Sequence, residues 1–184
     1  MSVLKLCAAL LPMHSLAESK RALQMYRLIR ADKIHISLIV AAINDNCSDC
    51  ALYHKHKYTI DGIEDDLGRW YCVSDNSKMP IAFIRIDDIN LTNGVLRYTI
   101  IASCNDIFKN VLIDVVRSLF KMFSCNKLVT DIMYDRSEAI KQYISLGSSI
   151  EVRKRQHLYT DGRYIHVVEV ATWRGGVLDE RIIC

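Results

Sequence analysis

Residues 95–133 read VLRYTIIASCNDIFKNVLIDVVRSLFKMFSCNKLVTDIM, and their pattern changes period twice. Ile107, Phe108, Val111, Leu112, Val115, Val116, Leu119, Phe120 and Phe123 recur at i, i+1, i+4, i+5, i+8 and i+9. That spacing makes a broad apolar stripe on a helix over 106–123, the kind that lies flat on a sheet. Asn105 or Asp106 is placed to cap it. The segments before and after it, 94–102 and 127–133, are short, apolar and rich in β-branched residues, so they read as strands. A strand, a long helix and a second strand make a crossover unit, which joins parallel neighbours with a right-handed turn.

Working outward, 70–74 and 81–87 read as strands joined by a turn at 75–80, and Asn93-Gly94 marks a hairpin into the strand at 94–102. The chain therefore has an antiparallel meander before the crossover. After it, 137–146 reads as a short helix: Ser137 caps, Ala139, Ile140 and Tyr143 face inward, and Gly147 ends it. A last hairpin, 151–159 with 164–172, turns at Thr160-Asp161-Gly162-Arg163. At the other end, 3–10 reads as a first strand. A helix is expected from Ser19, on Ala22, Met25, Tyr26 and Ile29; 34–43 fits a helix or a buried strand; 61–67 reads as a short helix. The fold class expected is α/β (α+β) with a mixed sheet of six to seven strands, helices on both faces, and one domain over 1–184.

Composition excludes several classes. Of 184 residues, 51% are hydrophobic and 24% charged, enough apolar surface to pack a core rather than stay disordered. The net charge of +3 is too small for a strongly basic nucleic-acid face. The apolar run at 36–43 is far below the ~20 residues a membrane helix needs. The first eleven residues lack the charged start and cleavage site of a signal peptide. The seven cysteines are an odd count set mostly in apolar surroundings, so they are expected to be reduced, in the cytoplasm. Cys47-x-x-Cys50 and His54-x-His56 place four zinc-type donors within ten residues. Structural zinc sites separate their two pairs by a longer loop, so a polar loop with ordinary thiols and no metal is expected.

Four segments together resemble the GNAT-type N-acetyltransferases, and within them the branch acting on ribosomal-protein N-termini or nucleotide-linked amino sugars. They are Pro80 to Ile89 with Asn93-Gly94; the stripe helix followed by Cys125-Asn126-Lys127-Leu128; Ser137-Glu138-Ala139-Ile140-Lys141-Gln142-Tyr143-Ile144-Ser145-Leu146-Gly147; and Arg153-Lys154-Arg155-Gln156-His157-Leu158-Tyr159-Thr160-Asp161-Gly162-Arg163-Tyr164. The resemblance covers about half of the chain well and the first 80 residues loosely. It implies acetyl-coenzyme A as co-substrate and an amine acceptor, on a small molecule such as an amino sugar or on a protein. It gives Tyr143 the role of the acid that protonates the departing thiolate. The coenzyme path falls on Ile101, Ser103, Phe108, Lys109, Asn110 and Arg136. The family holds the pyrophosphate on a glycine-rich turn at a helix N-terminus; its two key glycines are Asp106 and Phe108 here. That departure defines the alternative, a GNAT-like binding or regulatory module without catalysis.

The residues leave the base open among Asp87, Asp88, His157, His166 and Glu169, all on strands whose ends can face a cleft. His166 and Glu169, three apart, should point to opposite sheet faces. Alternation puts Arg153, Arg155, His157 and Tyr159 on one face, read first as a solvated face and second as a contact for an anionic substrate. A homodimer is allowed; no membrane or nucleic-acid partner is expected.

Overall fold

The computed structural model describes residues 26–44, 59–75, 79–102, 105–160 and 162–178. Seven strands form one sheet: β1 Arg27–Arg30, β2 Trp70–Ser74, β3 Pro80–Asn90, β4 Val95–Ala102, β5 Lys127–Met133, β6 Ser149–Thr160 and β7 Arg163–Trp173. Their spatial order is β1-β2-β3-β4-β5-β7-β6. Every neighbouring pair is antiparallel except β4 and β5, which are parallel, as the crossover requires. The helices are α1 Ile36–Asn44, α2 Ile60–Asp66, α3 Asn105–Phe123, α4 Ser137–Ser145 and α5 Arg174–Leu178.

Alternation along the strands feeds two cores. Val111, Leu112, Val115, Val116, Leu119 and Phe120 of α3 pack with Ala139 and Tyr143 of α4 on Ile84, Ile86, Leu96, Tyr98, Ile100, Leu128, Val168 and Val170. Ile36, Ile39 and Ile43 of α1 and Ile63 of α2 pack on the other face, against Trp70, Cys72, Phe83 and Ile101. Burying each large apolar side chain contributes about 1.5–3 kcal/mol, so both helix layers are tied to the sheet by their stripes. The far end of α3 is held by Arg174, whose Nη2 donates to the Phe120 carbonyl while the guanidinium lies 5.9 Å from the Phe120 ring centre.

Gly94 sets where β5 begins. Its carbonyl accepts from the N–H groups of Asn126 (2.8 Å) and Lys127 (3.1 Å). Its φ of +63° needs glycine, and a Cβ there would sit 3.1 Å from the Asn126 amide. Gly147 ends α4 with φ +82°, and Gly162 turns the last hairpin with φ +77°.

Three expectations change, and one that was open is decided. Residues 27–30 are a strand, not the end of a helix begun at Ser19. Arg27 to Arg30 pair with Ser74 to Tyr71, and the Ala31 N–H donates to the Trp70 carbonyl. A few apolar residues fit both periods over so short a stretch, and pairing with β2 decides. The ambiguous 34–43 is a 3-10 turn, Lys33–His35, running into α1. Ser137 does not cap α4: Arg136 holds the N-cap position, and no side-chain capping bond is made there. The common face of Arg153, Arg155, His157 and Tyr159 is interrupted, because β6 shifts register between Lys154 and Leu158 at Gln156, φ +48°. The Gln156 N–H instead donates to His166 Nδ1 at 3.0 Å. The 3–10 strand and the early part of the expected helix lie outside the described residues.

Among the described residues no helix is long and apolar enough to cross a membrane, and no group of side chains is arranged to hold a metal ion. Cys47, Cys50, His54 and His56 lie outside the described residues. Cys72 and Cys125 are free and buried, and burial pushes the Cys72 thiol up to about 11. In the native protein both should react with a disulfide reagent only at the rate of unfolding, a delay that a stopped thiol titration with and without denaturant measures.

Candidate active site

The parallel ladder between β4 and β5 is short. It pairs Val95 with Lys127, Leu96 with Leu128 and Arg97 with Val129. β4 then runs on to Ala102 against β3 alone, while β5 runs on to Met133 against β7. From Tyr98 and Thr130 onward the sheet is therefore open between its two central strands. The peptide groups on the facing edges there lie outside the β4–β5 ladder. The opening points toward the N-terminus of α3, which follows β4.

Tyr98 is the first residue of β4 beyond the ladder. Its side chain enters the α3/α4 core, and its hydroxyl donates to the Tyr143 hydroxyl at 3.2 Å. Both residues are buried, 1% and 2% exposed. Burial holds the Tyr98 phenol far above the usual tyrosine range. Tyr143 is fixed from its own side by α4, whose last turn closes on it: Leu146 and Ser148 N–H groups both donate to the Tyr143 carbonyl.

The opposite sheet face carries a run of charges at the same level. Thr99 Oγ1 donates to Asp87 at 2.6 Å, and Arg85 reaches Asp66 at 2.9 Å and Asp87 at 3.7 Å. Arg97 donates to Glu169 at 2.9 Å, and Lys154 reaches Asp131 at 2.7 Å and Glu169 at 3.3 Å. Asp87 is raised, because burial outweighs the Thr99 bond and the two arginines. Glu169 is lowered: burial pushes it up, but the bonds and charges of Arg97 and Lys154 together pull it further down.

The two carboxylates should therefore differ in their pH linkage. Glu169 contributes stability above its unfolded pKa, lost as pH falls through its depressed folded value. Asp87 favours folding only while protonated, and that contribution fades as pH rises through its elevated folded value. Glu169→Gln should destabilise the protein at neutral pH and converge on wild type in acid, whereas Asp87→Asn should hold or gain stability at neutral pH. Urea denaturation of both variants at the two ends of the range measures this.

The structure brings some expected site residues together and separates others. Tyr143 lies beside β4 at the start of the opening, and Arg136 stands at the start of its helix. Phe108, Lys109 and Asn110 fall in the first turns of α3, as does Asp106. Ile101 is on the open stretch of β4, but its side chain is fully buried among Trp70 and Phe83, so only its backbone is offered to the opening. Ser103 lies outside the described residues. Asp88 pairs in register with Arg97 and is exposed. His157 is exposed, and His166 and Glu169 do take opposite faces of β7. Tyr98 and Thr99 were not singled out from the sequence. Their signal is a tyrosine among the aliphatic inward positions Leu96 and Ile100, with a hydroxyl next to it on the other face. Two surface clefts, of about 280 Å³ beside Tyr71, Ile86 and Phe123 and about 480 Å³ between β1 and α3, are lined by neither Tyr143 nor Arg136.

No protein-family model matches the sequence, and a search of curated proteins finds no match. Solved structures do match. Spermidine N-acetyltransferase from Vibrio cholerae, in complex with CoA and spermine, superposes with a TM-score of 0.75 at 15% identity, over 84% of this chain and 99% of that one. A candidate phosphinothricin N-acetyltransferase gives 0.69 at 15% identity, over 80% and 98%. A glutamate-to-glutamine mutant form of the spermidine/spermine N-acetyltransferase from Vibrio cholerae gives 0.70 at 18% identity, over 85% and 98%. The chain thus has the GNAT fold: a seven-stranded mixed sheet opened between its parallel strands, with helices on both faces.

Proposed function

We propose that the protein is an N-acetyltransferase that moves an acetyl or other acyl group from acyl-coenzyme A to an amine. The observation that carries this reading is the opening of the sheet beyond Arg97 and Val129, with the buried Tyr98–Tyr143 hydroxyl pair at its start. The facing strand edges suit an extended chain bearing amides, which hydrogen-bonds as an added strand does. The N-terminus of a 19-residue helix at the end of β4 suits a pyrophosphate. Phe108, Lys109 and Asn110 on α3, the Ile101 backbone, Ser103 and Arg136 are the residues assigned to the coenzyme. Acetyl-coenzyme A supplies the thioester. The amine nitrogen bonds to the acyl carbon, the carbon–sulfur bond breaks with its electron pair on sulfur, and the Tyr143 hydroxyl proton goes to that sulfur. The amine's surplus proton leaves to a base or water and returns through solvent to Tyr143.

The acceptor class follows the resemblance of the 137–164 segment: an amine on an amino sugar or a protein. The neighbours that act on spermidine support an amine more generally. The enzyme is taken as one domain over 1–184, working in the cytoplasm. The test is release of coenzyme thiol from acetyl-coenzyme A in the presence of spermidine, glucosamine phosphate or a peptide with a free N-terminus. Release above the protein-free rate with at least one of them is expected.

Asp106 and Phe108, where the family has glycines, favour the second reading, a module that binds without catalysing. If so, thiol release is absent with all three amines. Asp106→Gly then decides whether the loop is a degenerate phosphate cradle: a gain in coenzyme A affinity by calorimetry says that it is, and no change places any pyrophosphate elsewhere.

A further inference from the structure

Tyr143 meets a second phenol, and the direction of that bond has a chemical consequence. The Tyr98 hydroxyl is the donor and the Tyr143 oxygen the acceptor, 3.2 Å apart in a packed core. A hydroxyl has one proton, so the Tyr143 proton is not the one used in this bond. Once it is given, the Tyr98 O–H faces a phenolate oxygen, and the neutral bond becomes a charge-assisted one, roughly twice as strong. Tyr98 itself holds its proton, since full burial opposes its ionisation. Cys125, on the turn between α3 and β5, is the other titratable group acting on Tyr98; burial pushes its thiol up, so it stays neutral alongside. The strand geometry serves the same end: Tyr98 is the residue at which β4 leaves β5, so the pair sits where the sheet opens.

We propose that Tyr98 is a positioning residue for the acid Tyr143: its hydroxyl aims the Tyr143 proton away from β4 and stabilises the phenolate that remains after the proton is given up. The proposal rests on the reading of Tyr143 as a proton donor, but its central test does not need turnover.

Tyr98→Phe removes one oxygen and keeps the ring that fills the core. With 3,5-difluorotyrosine placed at position 143, the phenol ionises closer to neutral pH and its titration is visible by fluorine NMR. The midpoint should rise by about one unit when Tyr98→Phe is added to this labelled protein, the size of one charge-assisted hydrogen bond. An unchanged or lower midpoint overturns the proposal, whether or not the enzyme is active. In the unlabelled Tyr98→Phe enzyme, kcat should fall about tenfold with the KM for acetyl-coenzyme A unchanged, and the alkaline limb of the pH–rate profile should move to higher pH. A KM effect with an unmoved limb counts against it as a packing effect. A shifted fluorine midpoint in a protein that releases no thiol from acetyl-coenzyme A leaves the hydroxyl pair standing and rejects the N-acetyltransferase reading alone.

Discussion

Tyr143→Phe should lower turnover by about 10²- to 10⁴-fold while the affinity for acetyl-coenzyme A stays nearly constant, the signature of losing a proton donor rather than a binding contact. The ring is 2% exposed and packs with Ala139 of α4 and the inward residues of α3, and phenylalanine keeps that packing. What goes is one hydroxyl and its bond to Tyr98. The stability cost should be about 1 kcal/mol, the net worth of one neutral hydrogen bond. Steady-state kinetics with a denaturation curve on the same preparation separates the two effects. Turnover equal to wild type would make Tyr143 a packing residue only.

Trp70→Ala should be the most damaging change to stability, by about 3–5 kcal/mol. Trp70 is fully buried between the sheet and the α1/α2 layer, where it meets Ile39, Ile63, Cys72 and Phe83. Its indole N–H has no hydrogen-bond partner among the described residues, so its contribution is volume and apolar area rather than polarity. Trp70→Phe, which drops the N–H and keeps an aromatic ring, should therefore cost clearly less than the alanine variant. Thermal unfolding reads both, at about 2–4 °C per kcal/mol for a chain of this size. A phenylalanine variant as unstable as the alanine one would mean that the indole N–H finds a partner after all.

Sequence periodicity was most informative where an element is long or its turn chemistry is strict. The stripe from Ile107 to Phe123 runs too long to fit any period but a helix's, and the structure places that helix at Asn105–Phe123. Gly94, Gly147 and Gly162 each take a left-handed backbone position: Gly147 follows the end of α4, and Gly94 and Gly162 lie in the two hairpin turns expected there. Where an element is four residues long, as at Arg27–Arg30, local pattern cannot compete with pairing to a neighbour distant in sequence. The break in β6 had no glycine to announce it: Gln156 takes φ +48° because its N–H finds His166 on the next strand. The candidate site was legible only in part for the same reason. Tyr143 stands out on its helix, but its partner Tyr98 is an ordinary strand residue until the register shows β5 leaving β4 beside it. Charges such as Glu169 and Asp87 look alike in sequence; Arg97 and Lys154 on one side and burial on the other set them apart.

The most direct test of the proposed activity is the thermal unfolding of the full chain titrated with acetyl-coenzyme A. If the opening between β4 and β5 and the N-terminus of α3 hold the coenzyme, saturation to a hundred times its dissociation constant should stabilise the protein by about 2.7 kcal/mol, with the midpoint rising continuously with ligand. A midpoint that does not move up to millimolar acetyl-coenzyme A, in protein that unfolds cooperatively, would contradict the account.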